Sequence, residues 1–253
     1  AAFRTPKDLS ARPEARRAPR RRRERRGGLA WNGWRMDFED ARRRMVDGQL
    51  RPNRVTEPRL LEAMRTLPRE RFLPPPLRSR AYVDEDVPLP GGRALMEPMV
   101  LARLVQLAAP RPGDRALVVC AGTGYGAAVL AHMGARVTAL EEDAALRRIA
   151  EEALSGCLPP GSVRLVGGDP REGHAAGAPY DVILIEGEVA EVPASLAGQL
   201  AEGGRLATVQ GNGVRGGRAV IGRRIGGTFT LTPAFDCATF PLAAFSPAPG
   251  FVF

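Results

Sequence analysis

Short apolar runs alternate with amphipathic segments and glycine-containing turns from residue 111 to the C-terminus. The apolar runs have the length of β-strands, and strands are predicted at 116–120, 137–140, 163–166, 180–185, 206–209, 219–225 and 229–240. Helices are predicted between strands at 127–133, 144–154 and 193–200. Strands that are apolar throughout and separated by helices indicate a parallel sheet covered on both faces, and the last two strands, which lack an intervening helix, predict an antiparallel edge. The predicted fold class is therefore α/β, a doubly wound and mostly parallel seven-stranded sheet.

Residues 36–110 have the periodicity of helices rather than of strands. Thr56 is the predicted N-cap of the second helix, with Pro58 in its first turn, while Pro98 opens the third helix and Pro110 ends it. The apolar stripes of the three helices consist of Phe38, Ala41, Met45 and Val46, of Leu60, Leu61, Met64 and Leu67, and of Val100, Leu101, Leu104, Val105 and Ala108.

The positive charge of the chain is concentrated at its N-terminus. Residues 1–35 contain 12 basic and three acidic side chains, a local charge of +9 that equals the net charge of the whole chain, so residues 36–253 hold 25 of each sign. Like charges at this density repel one another and bury little apolar surface, which predicts a disordered basic leader that ends before Met36. A nucleic-acid-binding fold is disfavoured, because its charge should lie on the folded domain. The leader itself leaves two other interpretations open, an arm for nucleic acid and a transit peptide.

Composition excludes several other classes of protein. Hydrophobic residues make up 44% of the 253 residues, enough for a sizeable core, yet no apolar run approaches the ~20 residues that a membrane helix needs. The three cysteines, Cys120, Cys157 and Cys237, are too few and too far apart for a disulfide framework, and with only two histidines they do not form a zinc motif. We expect a cytoplasmic protein without a metal.

A nucleoside site is predicted at the carboxyl ends of the first three strands of the sheet. The first strand leads into the turn Gly122-Thr123-Gly124, where glycine permits a tight turn and the following helix offers free N–H groups. Glu141 and Glu142 end the second strand, where a carboxylate can bind both hydroxyls of a ribose. Asp169 follows the third strand and can accept a hydrogen bond from an adenine amine. This third acid favours S-adenosylmethionine over a nicotinamide dinucleotide, although the glycine spacing alone would fit either cofactor.

Eight sequence blocks in a fixed order resemble the protein-L-isoaspartate (D-aspartate) O-methyltransferase family. They are MVDGQL at 45–50, VTEPRLLEAMRTLPRERFLP at 55–74, AYVDEDVPL at 81–89, EPMVLARLVQL at 97–107, AGTGYGAAVLA at 121–131, GGD at 167–169, APYDVILI at 178–185 and QLAEGGRL at 199–206. The resemblance implies a class I methyltransferase domain over 36–253, with a helical lid and substrate loop at 36–110 and the cofactor-binding sheet at 111–253. It also implies transfer of the methyl group of S-adenosylmethionine to the carboxylate of isoaspartyl residues in damaged proteins or peptides.

The resemblance also assigns the site residues. The cofactor would be held by Cys120, Gly122, Thr123, Gly124, Tyr125, Glu141, Glu142, Asp169 and Pro170, and the reaction would take place beside Met96, Glu97, Pro98 and Glu186. We expect a monomer that takes a protein or peptide acceptor.

Several of these positions depart from the family pattern. Val118 stands where the family has an acid, and Cys120 stands where it has the first glycine, so we expect weaker cofactor binding. Met96-Glu97 replaces the family's Ser-Gln, and Glu97 and Glu186 place two carboxylates at the entrance of a site for a carboxylate acceptor. Arg93 is the candidate counter-ion for Glu97. The departures leave two alternatives open, a methyltransferase for another acceptor and a cofactor-binding protein without turnover.

Overall fold

A seven-stranded sheet forms the centre of the computed structural model, which describes residues 37–211 and 216–246. The interpretation of residues 1–35 as a disordered leader, and of Met36 as the start of the domain, falls outside these residues. The strands are β1 (Val87–Leu89), β2 (Arg93–Leu95), β3 (Arg115–Val119), β4 (Arg136–Leu140), β5 (Val163–Val166), β6 (Tyr180–Val189), β7 (Leu200–Gln210), β8 (Gly217–Ile225) and β9 (Thr228–Cys237).

The sheet has the strand order β5-β4-β3-β6-β7-β8-β9, while β1 and β2 form a separate hairpin. The five strands from β5 to β7 in this order run parallel, and β8 and β9 pair antiparallel along one edge. This topology confirms the predicted α/β class, the seven strands and the antiparallel edge. Because β3 lies between β4 and β6, its carboxyl end faces crevices toward both neighbours, where ligands bind in open α/β sheets.

The helices follow from local capping and apolar spacing. Asp37 caps the first helix by accepting hydrogen bonds from the backbone N–H groups of Glu39 and Asp40, and Asp143 caps the fifth in the same way. The second helix is capped by Glu57, so the prediction of Thr56 as its N-cap was wrong by one residue. The helices are α1 (Phe38–Met45), α2 (Pro58–Thr66), α3 (Pro98–Ala108), α4 (Tyr125–His132), α5 (Ala144–Ser155) and α6 (Ala194–Gly198), with a π-helical turn at Val46–Leu50.

Several elements differ from the sequence prediction. The helix predicted at 193–200 ends at Gly198, because Leu200 pairs with Tyr180 and begins β7 instead. The β1–β2 hairpin was not predicted, since strands of three residues are too short to show a period-2 pattern.

The two faces of the sheet carry separate parts of the core. On β3, Ala116 and Val118 join the large cluster that includes α1 to α5, whereas Leu117 and Val119 face the cluster that includes α6. This alternation is what a strand buried on both faces requires. None of the helices in the described part of the chain is long and apolar enough to cross a membrane.

Candidate active site

A tight turn follows β3 and leads directly into α4. Gly122 and Gly124 have φ values of +56° and +91°, in the left-handed region that glycine adopts without strain. The Gly124 N–H donates to the carbonyl of Ala121 at 2.8 Å, and among residues 37–211 and 216–246 no side chain caps the N-terminus of α4. The first N–H groups of this helix are therefore available to a ligand.

Cys120 begins this turn in the same left-handed region, with φ of +56°. A residue with a Cβ pays about 1–2 kcal/mol for that conformation. The side chain is buried, and burial raises the pKa of the thiol to about 12, so Cys120 is not a nucleophile at neutral pH. At this position the backbone has the left-handed conformation even though the residue carries a Cβ.

Glu141 ends β4 and is fully buried beside the glycine turn. Its Oε2 accepts a hydrogen bond from the Gly122 N–H at 2.7 Å, and its Oε1 accepts one from the Asp143 N–H at 3.0 Å. Its Oε1 also forms a 2.9 Å ion pair with Arg93. These contacts fix the carboxylate between the ends of β3 and β4, and binding of a ribose by Glu141 stays a prediction.

Arg93 lies on β2 and joins the hairpin to the two strand ends. Besides its ion pair with Glu141, its Nη2 donates to the Cys120 carbonyl at 2.6 Å. The expectation that Arg93 is the counter-ion of Glu97 was therefore wrong. No signal in the sequence indicated this contact, because 48 positions separate Arg93 from Glu141.

An exposed cleft of about 580 Å³ continues the site past the ends of β4 and β5. Glu142 and Asp169 lie on its rim, and Pro170 is buried next to them. Arg147 lines the same cleft and donates from Nη1 to the carbonyls of Glu141 and Glu142, at 2.6 and 2.7 Å. Sequence reasoning missed Arg147, although its position one turn into the helix after Glu142 places it beside the strand end.

Arg69 is a second cation that sequence reasoning missed. It is fully buried and donates from Nε to the Ala81 carbonyl at 2.7 Å and from Nη2 to the Met96 carbonyl at 2.5 Å. Its guanidinium carbon lies 4.7 Å from the centre of the Tyr125 ring. Tyr125, which was assigned to the cofactor, places its ring in the core against Phe72, at 5.3 Å between ring centres.

Met96, Glu97 and Pro98 enter α3, and the structure gives them different environments. Met96 and Pro98 are buried, while Glu97 is half-buried. Burial, together with the nearby carboxylates of Asp84 and Asp86, raises the pKa of Glu97 to about 7. Within residues 37–211 and 216–246, no arginine lies within ion-pairing distance of Glu97.

Glu186 lies within β6, and the structure directs its carboxylate inward. Its Oε1 is buried without a hydrogen-bond partner in the described chain, although other parts of the residue keep some exposure. Burial raises the pKa of Glu186 to about 8, against the opposing charges of Arg93 and Arg69. The expectation that Glu186 faces the entrance as an added negative charge is corrected, since its Oε1 packs over Gly126.

The residues around the turn match the functional groups of S-adenosylmethionine. Glu141 and Asp169 can accept from its hydroxyls and its amine, and the buried Thr123 Oγ1 has no partner among the described residues. A buried hydroxyl without a protein partner can form a hydrogen bond with a ligand. Part of the acceptor capacity of Glu141 is already used by Arg93. In the residues the structure describes, no group of His, Cys, Asp and Glu has the arrangement of a metal site.

Comparison with known proteins agrees with this geometry. A sequence model of the family described as protein-L-isoaspartate (D-aspartate) O-methyltransferase matches residues 41–227. A protein-L-isoaspartate O-methyltransferase from Koribacter versatilis is 37% identical over 82% of this chain and 94% of its own length. Another from Methylorubrum populi is 42% identical over 66% of this chain and 77% of its own length.

Solved structures show the same architecture. A structure described as a protein-L-isoaspartate O-methyltransferase superposes with a TM-score of 0.70 at 25% identity, over 81% of this chain and 67% of the other. A second, from Plasmodium falciparum in complex with S-adenosyl-L-homocysteine, superposes with a TM-score of 0.69 at 18% identity, over 80% of this chain and 98% of the other. At that identity the second structure shows the fold alone.

The sheet order, the glycine turn after β3 and the acids at the ends of β4 and β5 define a Rossmann-like methyltransferase. Within that class, the family is identified by the family match and by the Koribacter versatilis relative, which aligns over nearly its whole length. The chain belongs to the protein-L-isoaspartate (D-aspartate) O-methyltransferase family.

Proposed function

We propose that this protein is an S-adenosylmethionine-dependent O-methyltransferase that methylates the carboxylate of isoaspartyl residues in proteins or peptides. One structural observation carries the proposal: two buried arginines connect the predicted acceptor segment to the cofactor turn. Arg93 joins the hairpin to Cys120 and Glu141, and Arg69 joins the Met96 carbonyl to the ring of Tyr125. These contacts support a transfer site whose two halves lie side by side before the cofactor binds.

On the cofactor side, the turn at 122–124 and three acids would hold S-adenosylmethionine. Glu141 would bind the ribose, Asp169 the adenine amine, and the N–H groups at the start of α4 the carboxylate. Glu142 lines the outer part of the same site, Pro170 is buried next to it, and Thr123 would supply a hydroxyl that has no partner among the described residues. Cys120 contributes its backbone, whereas the ring of Tyr125 supports the turn from the core.

On the acceptor side, the chain must align a carboxylate and exclude water. Bound S-adenosylmethionine supplies an electrophilic methyl group, and an acceptor carboxylate is already nucleophilic, so no general base is needed. Pro98 fixes the start of α3 and Met96 packs in the core, which leaves Glu97 as the partly exposed residue of this segment. The raised pKa values of Glu97 and Glu186 reduce their negative charge near neutral pH, and this weakens their repulsion of an anionic acceptor.

A second candidate function is methylation of a neutral or cationic acceptor. The observation in its favour is the half-buried Glu97 carboxylate, which has Asp84 and Asp86 beside it and no ion-paired arginine in the described chain. Such an acidic entrance would attract an amine and repel a carboxylate once Glu97 ionises.

Transfer of radioactive methyl to a synthetic isoaspartyl peptide tests the proposal. The product should release methanol in base, and the matched peptide with a normal aspartyl residue should incorporate none. If S-adenosyl-L-homocysteine binds but neither peptide is labelled, the isoaspartyl function is wrong. Labelling of other proteins in a cell extract would then favour the second candidate, and its absence would favour a binding protein without turnover.

A further inference from the structure

Arg93 satisfies two hydrogen-bond acceptors at the centre of the proposed cofactor site. Its side chain is 9% exposed, and the ion pair with Glu141 is completely buried on the carboxylate side. The same guanidinium also donates a hydrogen bond to the Cys120 carbonyl, so one side chain bridges the carboxyl ends of β3 and β4. Bonds of this kind between charged groups, away from water, are among the stronger ones in proteins.

S-adenosylmethionine carries several hydrogen-bond donors that would need acceptors at the turn beside Glu141 and Cys120. Its ribose hydroxyls and its ammonium group all donate hydrogen bonds, and the acceptors that the turn presents to them include the Glu141 carboxylate and the Cys120 carbonyl. Glu141 already accepts from Gly122 and Asp143 in addition to Arg93. A carboxylate has about four lone-pair positions, so little capacity remains for two further hydroxyls while Arg93 stays bound.

We infer that Arg93 is an internal competitor of the cofactor, which must give up Glu141 and the Cys120 carbonyl when S-adenosylmethionine binds. This inference rests on the proposed function, because it concerns the same cofactor site. The observed affinity for the cofactor is then lower than the intrinsic affinity of the turn, by the fraction of molecules in which Arg93 has left.

The structure provides a second carboxylate for the displaced guanidinium. The Oε1 atom of Glu186 is buried without a partner in the described residues, and its charge already acts on Arg93. Transfer of Arg93 from Glu141 to Glu186 would leave no buried cation unpaired.

Calorimetric titration with S-adenosyl-L-homocysteine tests the competition without requiring turnover. In Arg93→Gln, a neutral amide cannot hold both acceptors as a cation does, and we expect the dissociation constant to fall by about tenfold. Arg93→Lys keeps the positive charge but lacks the second terminal nitrogen of the guanidinium. Its dissociation constant should lie between those of the wild type and Arg93→Gln. Arg205→Gln is the matched control, because Arg205 forms a half-buried ion pair with Asp114 away from the site; its dissociation constant should equal that of the wild type.

The outcomes separate the inference from the function it rests on. Tighter binding to Arg93→Gln supports the competition, including the case in which the wild type shows no measurable binding. Equal or weaker binding to a folded Arg93→Gln, with measurable binding to the wild type, overturns it. Absence of binding to every variant contradicts both the inference and the proposed function.

A measurement on the wild type keeps the inference testable if Arg93→Gln does not fold. With ¹⁵N-arginine labelling, Arg93→Lys identifies the Nε–H signal of Arg93 by its disappearance. Saturation with S-adenosyl-L-homocysteine should shift that signal and speed the exchange of its proton with water, since the guanidinium leaves its buried partners. A signal that stays unchanged at saturation would show that Arg93 keeps its contacts in the complex and would rule the inference out.

Discussion

The Oε1 atom of Glu186 occupies the space directly over Gly126, where any Cβ would collide with it. Gly126 lies in the first turn of α4, at a position where alanine would ordinarily stabilise a helix. Glycine at this position leaves room for a carboxylate that β6 directs inward, and alanine would force that carboxylate to move.

Gly126→Ala should destabilise the wild-type protein by about 1–3 kcal/mol, because the added methyl group overpacks the site. In a Glu186→Ser background the space is free, and the same substitution should stabilise by about 0.5–1 kcal/mol. Urea unfolding of the four proteins of this cycle measures both effects. Gly48→Ala is the control, since a Cβ at Gly48 meets no atom within 4 Å; its effect should be the same in both backgrounds. A Gly126→Ala effect that is equal in both backgrounds would contradict the packing argument.

The stability of the protein should fall between about pH 4.5 and about pH 8 because of Glu186. Burial raises the pKa of this group from 4.5 to about 8, so over this window the folded state binds a proton that the unfolded state has lost. Glu186→Gln cannot ionise, and its melting temperature should decline less than that of the wild type between pH 6 and pH 8.5. At about 2–4 °C per kcal/mol for a domain of this size, the difference is measurable by calorimetry.

An exposed carboxylate provides the control for this titration. Glu151→Gln, on the outer surface of α5, should reproduce the pH dependence of the wild type. If Glu186→Gln loses melting temperature with pH as steeply as the wild type does, the buried carboxyl group is not the source of the dependence.

Activity on an isoaspartyl peptide should decrease as the pH rises through about 7. The acceptor carboxylate, with a pKa near ~4, is ionised well below that pH, so the change comes from the enzyme. Burial and the neighbouring acids raise the pKa of Glu97 to about 7, and above that value its negative charge opposes the acceptor. In Glu97→Gln this decrease in kcat/KM through pH 7 should be lost. Glu85→Gln, an exposed acid in the same loop, should keep the wild-type profile; a Glu97→Gln profile that matches the wild type would refute this role.

Cys120→Gly should improve binding of S-adenosyl-L-homocysteine by about fivefold, or ~1 kcal/mol, because without the Cβ the ligand can approach the turn more closely. The stability of the free protein should change little, because the lost burial of the thiol offsets the relieved strain. Ala109→Gly is the control: Ala109 has φ of +46° at the end of α3, so glycine relieves similar strain there. Calorimetry should find the dissociation constant of Ala109→Gly unchanged, and a Cys120→Gly variant that binds no tighter than this control would contradict the prediction.

The sequence by itself determined the architecture of the sheet and the position of the glycine turn after β3. The patterns that predicted the fold are local: apolar runs, helical stripes and the glycines at 122 and 124. Each of them reflects the requirements of the strand, helix or turn in which it lies. Glu141 and Asp169 were also found locally, because a residue that follows a parallel strand must lie at the carboxyl edge of the sheet.

The tertiary structure alone decided which charges meet. The partner of Arg93 lies 48 positions away, Glu186 turns toward a helix that precedes it by more than 50 residues, and the Tyr125 ring points into the core rather than at a ligand. The directions of side chains and the long-range ion pairs depend on how the helices and strands pack together. The hydrophobic periodicity of the sequence does not predict this packing. The sequence therefore predicted two acids, Glu97 and Glu186, at the entrance to the site. In the structure Glu186 is directed inward, and Arg93 forms its ion pair with Glu141.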